Sequence, residues 1–258
     1  MNISTKIVPS PKFSDKALND MFDYRLGRLR KSMLEQNISL SILVNPVSLR
    51  YAIDFDEYQL FQSHIPTCYL FVPAHGPLVM HGATRHTFPN VFEYRRPHFI
   101  TPFDSGFDLS NSVKLLSNDV DNFVREYGHN KNIAIERVSS LISNSLQTLG
   151  YQISDAECLV EKAKVIKCDT EIKCIKHSID VAEYGLKLMQ ENTFAGLTER
   201  QVWSILHQVN IANNGSWIEG HMLSSGPRTN PWLQEASERV IETGDMVSMD
   251  TDMIGPRG

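Results

Sequence analysis

Apolar residues recur every three or four positions in several parts of the chain, and this spacing predicts amphipathic helices. The first runs over residues 14–36, where Ser14 can act as the N-cap. The same spacing predicts further helices over residues 113–127, 138–149, 171–192 and 198–213. In the helix over residues 171–192 the predicted buried stripe consists of Ile172, Ile175, Ile179, Ala182, Leu186 and Met189.

Short apolar runs between these helices predict β-strands. One covers Leu40–Val44 and ends at Asn45-Pro46, and another covers Asn132–Ile135. Residues 68–72 and 77–81 form two apolar runs around His75-Gly76-Pro77, a pattern that predicts a hairpin. Strands that alternate with helices over roughly the first 160 residues indicate an α/β domain.

The last part of the chain contains a strand-like run with two acidic residues. Gly244-Asp245 is a turn dipeptide, and the following residues 246–252 alternate so that Asp250 and Asp252 share one face. Their Cα atoms would be about 6.5 Å apart at the rise of a strand. A divalent cation would relieve the repulsion between the carboxylates, and oxygen ligands suit Mg, Mn, Fe and also Zn. The alternative is a strand end whose acids face water, since Asp-x-Asp is a common pattern.

Composition places the chain among ordinary globular proteins. It has 258 residues, 41% of them hydrophobic and 21% charged, with a formal net charge of −5. The mildly acidic balance and the lack of a Lys/Arg stripe argue against a nucleic-acid surface. The basic residues between Arg25 and Lys31 are interpreted as a solvated helix face.

The sequence also bears on location and on cysteine and histidine chemistry. Residues 1–13 lack the apolar core of a signal peptide, and no apolar run approaches the length of a membrane span. The four cysteines form no CxxC pair, which favours reduced thiols over disulfides or a zinc site. Five histidines between His64 and His98 fit no metal template and are interpreted as surface or packing residues. We therefore expect a cytoplasmic protein without a membrane partner.

Several motifs resemble one protein superfamily. The segment GDMVSMD resembles the Gly-Asp-x-Val-x-x-Asp segment of the creatinase/prolidase/methionine-aminopeptidase superfamily, whose last Asp is the first metal ligand; here that residue is Asp250. The segment WIEGHMLSSGPRTNPWLQEAS, followed later by DTDMIGP, resembles the dimethylsulfoniopropionate lyases and their relatives within it. In those proteins both acids of Asp-Thr-Asp contact metal, so the resemblance implies that Asp252 is a ligand too. An earlier segment, SLRYAIDFDEYQLFQSHIP, is similar to the same subgroup, and the likeness covers nearly the whole chain.

The resemblance implies a fold of two parts. Residues 1–163 would form a creatinase-type N-terminal α/β domain. Residues 164–258 would form the first part of a pita-bread catalytic domain of the α+β class. The junction is expected within EKAKVIKCD, residues 161–169, which is similar to the segment that opens the second domain in the superfamily.

The resemblance also implies an activity: a metal-dependent lyase that converts dimethylsulfoniopropionate to dimethyl sulfide and acrylate, with Fe, Mn or Zn as the divalent metal. Trp232 and Trp217 are candidates for the aromatic face that a sulfonium cation requires, and Arg228 for a carboxylate contact. The alternatives are that both tryptophans belong to the core and that Arg228 binds backbone carbonyls in its turn. No catalytic residue is assigned, and a homodimer is expected.

The superfamily's metal site needs more ligands than this chain contains. Its pattern continues with a second Asp, a His and two Glu, all of which would lie beyond Gly258. The sequence is therefore expected to be C-terminally truncated, with residues 164–258 only marginally stable and the chain itself inactive.

Two other functions remain open. One is an Xaa-Pro peptidase of the prolidase type, in which a metal-bound hydroxide hydrolyses an amide. Those relatives carry a His after the Ser-Gly turn, whereas residues 227–232 contain none and His221 precedes the turn. The other is a non-catalytic binding module.

Overall fold

The computed structural model describes residues 4–82, 87–98 and 101–257, so that His86 and Gly258 lie outside the described residues. The chain divides into two compact units. One consists of residues 14–168, and the other combines residues 4–13 with residues 169–257. The division falls within the segment 161–169 that the resemblance marks as a junction.

The unit of residues 14–168 is an α/β structure. Its described helices are α1 (Asp15–Glu35), α2 (Pro46–Ile53), α3 (Gln59–His64), α4 (Pro102–Ser105), α5 (Ser110–Tyr127), α6 (Ser140–Thr148) and α7 (Glu157–Lys164). Its described strands are β1 (Leu40–Leu43), β2 (Tyr69–Pro73), β3 (Leu78–His81), β4 (Val91–Arg95), β5 (Asn132–Ile135) and β6 (Gln152–Asp155).

The described strands form one mixed sheet in the order β4-β3-β2-β1-β5-β6. β2 pairs antiparallel with both β1 and β3, whereas β1 pairs parallel with β5, and β5 with β6. β2 lies beside one edge of β1, and β5, which comes later in the chain, lies beside the other edge of β1. The order in which strands are added to the sheet therefore reverses direction between β1 and β5.

Each face of this sheet is covered by helices. Alternate residues of β2 serve opposite faces: Leu70 and Val72 join one apolar cluster, and Tyr69 and Phe71 the other. The first cluster includes buried residues of α1, α2 and α7, and the second includes buried residues of α5 and α6. This three-layer arrangement confirms the predicted α/β class.

Local capping explains where several elements begin. The Ser14 side chain accepts a hydrogen bond from the Ala17 amide at 3.2 Å, as predicted for the N-cap of α1. β1 ends before Asn45-Pro46, as predicted, and the same dipeptide also begins α2. The Asn45 side chain caps the helix at the Val47 amide (3.0 Å), and Pro46 occupies its first turn.

The second unit is smaller. Its described elements are α8 (Asp169–Asn192), α9 (Glu199–Ala212), β7 (Leu223–Ser225), a 3₁₀ turn (Gly226–Thr229) and β8 (Val247–Met249). Met189, Trp203, Leu206 and Leu223 are buried in its core. Residues 4–13 also belong to this unit: the Lys6 amide donates to the Tyr184 hydroxyl at 2.8 Å. No described helix in the chain combines the length and apolar character needed to cross a membrane.

The predicted buried stripe of α8 is wrong in register. Ile172 and Ile179 are exposed, and the residues that are buried, besides Met189, are Glu171, Cys174, His177, Val181 and Gly185. α9 packs against this side, where a Cβ atom at Gly185 would lie 2.6 Å from Leu206 Cδ1. The missing side chain at Gly185 permits this close approach, so the packing of α9 and not apolar character decides which side of α8 is buried.

Replacing Thr198 by Ala is expected to destabilise the second unit by about 1 kcal/mol, because Thr198 is the N-cap of α9. Its side chain accepts from the Gln201 amide at 3.2 Å, and the Gln201 side chain accepts from the Thr198 amide at 2.8 Å. Unfolding in urea followed by tryptophan fluorescence measures the change. Ser204→Ala, at an exposed position of the same helix, should stay within about 0.5 kcal/mol of the parent. Equal effects of the two substitutions would contradict the capping role.

Candidate metal and substrate site

The two acids lie just after β8, where its pairing with the preceding strand becomes irregular. Leu223 pairs with Met249, and an isolated bridge joins Ile218 to Met253. Residues 218–223 therefore lie opposite residues 249–253, which are one residue fewer. The extra residue lies between Ile218 and Leu223, as in a β-bulge. The predicted strand over residues 246–252 is therefore shorter than expected and covers Val247–Met249.

Asp250 and Asp252 are both exposed to solvent. The neighbouring residues face the other way: the hydroxyl oxygen of Thr251, between the two acids, is buried, and the flanking Met249 and Met253 pack against the core. The backbone still links this segment to its neighbour, since the Asp250 amide donates to the Met222 carbonyl at 2.9 Å. The alternation of exposure places both acids on the outer side of the segment.

These carboxylates have the chemistry of divalent-ion donors, but two of them alone do not complete a metal site. Hard cations such as Mg²⁺ and Mn²⁺ prefer carboxylate oxygens, and the exposed acids offer them. Within the described ranges, no group of three or more His, Cys, Asp or Glu side chains could hold a metal. Asp250 and Asp252 therefore fit two positions of a coordination shell whose other ligands would come from elsewhere.

The two candidate tryptophans are accessible, unlike Trp203, which is 4% exposed. Trp232 follows the 3₁₀ turn and is 42% exposed. Trp217 is half-buried, and its indole N–H donates to Glu219 Oε1 at 2.6 Å. The Glu219 amide in turn donates to the Asp252 carbonyl at 3.4 Å, which brings the Trp217 segment beside the acids.

Arg228 is bound within the protein to a buried carboxylate. Its guanidinium pairs with Glu199, whose side chain is completely buried, and also donates to the Glu235 carbonyl at 2.9 Å. Glu199 Oε1 accepts the amide and the hydroxyl of Ser225 at 2.7 and 2.8 Å. Its Oε2 accepts the amide and the hydroxyl of Ser237 at 2.9 and 2.7 Å. We call Glu199, Arg228, Ser225 and Ser237 the Glu199 cluster.

A second ion pair joins the Ser-Gly turn to the Gly-Asp turn. Arg239 donates to Asp245 Oδ2 at 2.5 Å and to the Ser225 hydroxyl at 2.7 Å. The Arg239 guanidinium holds the pKa of Asp245 below its usual range. Gly226 has a φ of +50°, and a Cβ atom there would overlap Asp245 and approach Arg239 Nη2 at 2.8 Å. The two motif segments therefore form one hydrogen-bonded structure.

Sequence reasoning missed Glu199 and Arg239. Glu199 follows the cap of a predicted helix, where an acidic residue is ordinary. Its partners lie between residues 225 and 237, so no local pattern marks it. A polar residue that packing buries is visible only in three dimensions.

No family model matches the chain, but curated proteins resemble it in sequence. The chain is 32% identical over 252 residues to the dimethylsulfoniopropionate lyase DddP of Roseovarius nubinhibens, covering 93% of this chain and 56% of that protein. It is 30% identical over 246 residues to the DddP of Roseobacter denitrificans, covering 91% and 55%. The chain thus spans about half the length of these curated relatives.

Solved structures show the same fold at lower identity. The Xaa-Pro dipeptidase from Bacillus anthracis superposes with a TM-score of 0.68 at 19% identity, covering 92% of this chain and 62% of that chain. The prolidase from Pyrococcus furiosus gives 0.64 at 17% identity, covering 89% and 66%. The chain therefore has the fold of these prolidase structures and resembles the dimethylsulfoniopropionate lyases in sequence. The fold class and this resemblance, both expected from the sequence, are thereby confirmed.

Proposed function

We propose that the protein is a metal-dependent lyase that cleaves dimethylsulfoniopropionate to dimethyl sulfide and acrylate. The observation that carries this proposal is the 32% identity over 252 residues to a curated lyase of that name. Because the chain spans 56% of that relative, the proposal concerns the activity of the whole protein.

In this proposal Asp250 and Asp252 hold the divalent ion, which is Fe, Mn or Zn. Their exposed carboxylates supply two of its oxygen ligands, and other parts of the whole protein supply the rest. When bound, the ion would act as a Lewis acid toward substrate oxygen. The Glu199 cluster keeps the Ser-Gly turn beside the segment that carries both acids.

The substrate has a sulfonium cation at one end and a carboxylate at the other. Trp232, with 42% of its surface exposed, offers a ring face to the cation, and Trp217 offers a second aromatic surface. Arg228 has five N–H donors, and the substrate carboxylate would use those that its bonds to Glu199 and Glu235 leave available.

The reaction itself is an elimination. A base removes a proton from the carbon next to the carboxylate, and the electron pair of that C–H bond forms the C=C bond of acrylate. The C–S bond breaks with both electrons on sulfur, which leaves as neutral dimethyl sulfide. We assign the base to no residue of this chain.

The test is dimethyl sulfide release by the whole protein, measured by gas chromatography, with bound metal measured by mass spectrometry. Asp250→Asn and Asp252→Asn should each lower activity by more than about 100-fold, since even outer partners of metal ligands cost about 10- to 100-fold. Asp180→Asn, an exposed acid on α8, is the matched control and should retain activity.

The outcomes separate the functional alternatives. Release of proline from an Xaa-Pro dipeptide without dimethyl sulfide would overturn the lyase in favour of a peptidase. Absence of both activities in the metal-loaded whole protein would favour a non-catalytic module. The solved Xaa-Pro peptidases, at 19% identity or less, support the shared fold and not their activity.

Assembly and location complete the proposal. We propose a homodimer, as the resemblance implies, and light scattering of the purified protein tests it. We also propose a cytoplasmic location. None of the four cysteines, all of which lie in the described ranges, forms a disulfide, and Cys158 is exposed, which suits a reducing compartment.

A further inference from the structure

The unit of residues 14–168 contains a cavity of about 50 Å³ at the carboxyl ends of β1 and β5. Ile42 of β1, Leu116 of α5, and Val138 and Ile142 beyond β5 are among the residues that line it. All four belong to, or pack against, the apolar cluster between the sheet and helices α5 and α6. The cavity is therefore an unfilled part of a hydrophobic core.

The volume of the cavity limits the size of any ligand. A water molecule needs roughly 10–15 Å³ of such volume, and a cavity of about 150 Å³ in another protein holds benzene. The space here is therefore enough for about three or four heavy atoms. That size admits short hydrocarbons and thioethers and excludes nucleotides and sugars.

The position of the cavity in the sheet favours ligand binding. β1 and β5 are parallel neighbours, and the strands that follow them in the chain, β2 and β6, lie on opposite sides of this pair. Connections that diverge in this way leave a crevice outside the carboxyl ends of the strands, where open α/β sheets bind ligands.

The basic side chains that line the cavity already have partners. Arg137 donates to the Ser63 carbonyl at 2.7 Å, and its Nε lies 3.8 Å from Glu157. His98 lies 3.0 Å from Asp119. These contacts compensate the positive charges at the rim, so the cavity does not require an anionic ligand.

The carboxylate of Glu136 is also satisfied by the protein. Its Oε2 atom accepts the backbone amides of Val44 and Asn45, each at 2.7 Å, and the Ser48 hydroxyl hydrogen-bonds the same carboxylate. Its Oε1 atom is buried and out of reach of a ligand. The cavity therefore does not require a cationic ligand either.

Tyr69 adds a neutral hydroxyl to the lining. Its oxygen accepts the His98 amide at 3.1 Å, and burial raises the pKa of this hydroxyl, so Tyr69 stays uncharged at neutral pH. Among the lining residues that the structure describes, each charged side chain thus has a protein partner. The ligand that fits this lining is neutral and apolar, because a charge placed there would lose its hydration without gaining a new partner.

We propose that this cavity binds a small neutral apolar molecule, such as a short hydrocarbon or a dialkyl thioether. Its methyl or methylene groups pack against Ile42, Leu116, Val138 and Ile142. Binding removes apolar surface from water on both sides and fills the void between α5, α6 and the sheet. The site is independent of the proposed lyase function, because all its residues belong to the unit of residues 14–168.

The experiment is a titration of the whole protein, with labelled methyl groups, by dimethyl sulfide, a neutral thioether with three heavy atoms. Saturable shifts are expected at the methyl resonances of Ile42, Leu116 and Ile142. A Kd of about 1 mM is the limit for a ligand of this size. Acrylate, which is of similar size but charged, should bind at least about 10-fold more weakly, because the anion would have to give up its hydration.

Val138→Phe places a larger side chain in the cavity and should abolish the saturable shifts. Ile153→Phe is the matched control, because Ile153 is half-buried against the same apolar cluster but does not line the cavity. It should change the affinity for dimethyl sulfide by less than about 3-fold.

Two results would overturn the proposal: no saturable shift in the parent protein, or acrylate binding as tightly as dimethyl sulfide. Unchanged binding in a folded Val138→Phe variant would also overturn it. The selectivity of the parent protein decides the matter even if Val138→Phe fails to fold. A protein without lyase activity could still give the expected shifts, so the two proposals fail separately.

Discussion

Replacing Glu199 by Gln is expected to destabilise the unit of residues 4–13 and 169–257 by about 3–5 kcal/mol, the usual cost of breaking a buried ion pair by removing one partner. The amide nitrogen of Gln would face donors from Ser237 or Ser225, and Arg228 would lose its carboxylate. All three tryptophans of the chain lie in this unit, so tryptophan fluorescence in urea reports its unfolding.

Glu191→Gln is the matched control for this prediction. Glu191 lies on α8, half-exposed, with Lys187 Nζ at 3.8 Å across the helix surface. Exposed pairs of this kind contribute about 0–1 kcal/mol. If Glu199→Gln cost no more than Glu191→Gln, the Glu199 cluster would not stabilise the unit.

The same substitution should change the response to acid. Burial acts to raise the pKa of Glu199, but hydrogen bonds from Ser237 and Ser225 outweigh it and leave the pKa below its ordinary value. A carboxyl with a lowered pKa in the folded state contributes its full stability above the unfolded value of about 4.3. That contribution is lost as pH falls through the folded pKa, so the Gln variant should show a weaker loss of stability in acid.

The contrast between Glu199 and Asp250 shows what the sequence could and could not predict about the site. Asp250 and Asp252 can be recognised from the sequence as a pair, because side chains two residues apart in extended backbone lie on the same face. Arg228 was recognised as a potential partner for a carboxylate, but the carboxylate it contacts belongs to Glu199, nearly thirty residues earlier. Long-range polar contacts leave no periodic signal.

A similar limit applies to the fold. Periodicity located α1 and α9 together with their caps Ser14 and Thr198, because capping is a local interaction. β6 was not predicted, since it is an edge strand whose residues are mostly exposed and carry no apolar alternation. The face of α8 was misjudged because it depends on how closely α9 approaches at Gly185.

The Ser-Gly turn and the Gly-Asp turn carry much of the resemblance to the superfamily, yet their visible contacts are structural. Ser225 is held by Glu199 and Arg239, and Asp245 is held by Arg239. Gly226 is required by the space between them. These residues fix the position of the segment that ends in Asp250, which is how they would contribute to a metal site.

Lowering the pH from 7 to 4 is expected to destabilise the unit of residues 14–168 by about 3 kcal/mol through His81 alone. His81 lies in β3 with 0% exposure. Its ring centroid is 4.6 Å from that of Tyr69, with the rings stacked, and 4.3 Å from that of Phe71, with the rings tilted. Neither ring nitrogen has a hydrogen-bond partner among the described residues. The interpretation of His81 as a packing residue is therefore confirmed.

The sign follows from the direction of the pKa shift. Burial lowers the pKa of His81 from 6.5 to about 3, and the positive charges of Arg95 and His98 act in the same direction, against Glu93. In the unfolded chain His81 is therefore protonated as the pH falls through 6.5, whereas in the folded unit it is protonated only near pH 3. The free energy of unfolding is therefore not reduced by His81 above pH 6.5, and it falls by about 1.4 kcal/mol for each pH unit below that value.

His81→Phe should remove this dependence, because a phenyl ring keeps the aromatic stack and cannot take up a proton. Hydrogen exchange of the β2 and β3 amides between pH 7 and 4, corrected for intrinsic rates, measures the stability of the sheet. His75→Phe, at an exposed position in the turn between the same strands, should leave the acid dependence of the parent unchanged. If the parent and His81→Phe lost stability in parallel over this range, the buried neutral imidazole would not be the acid-sensitive group.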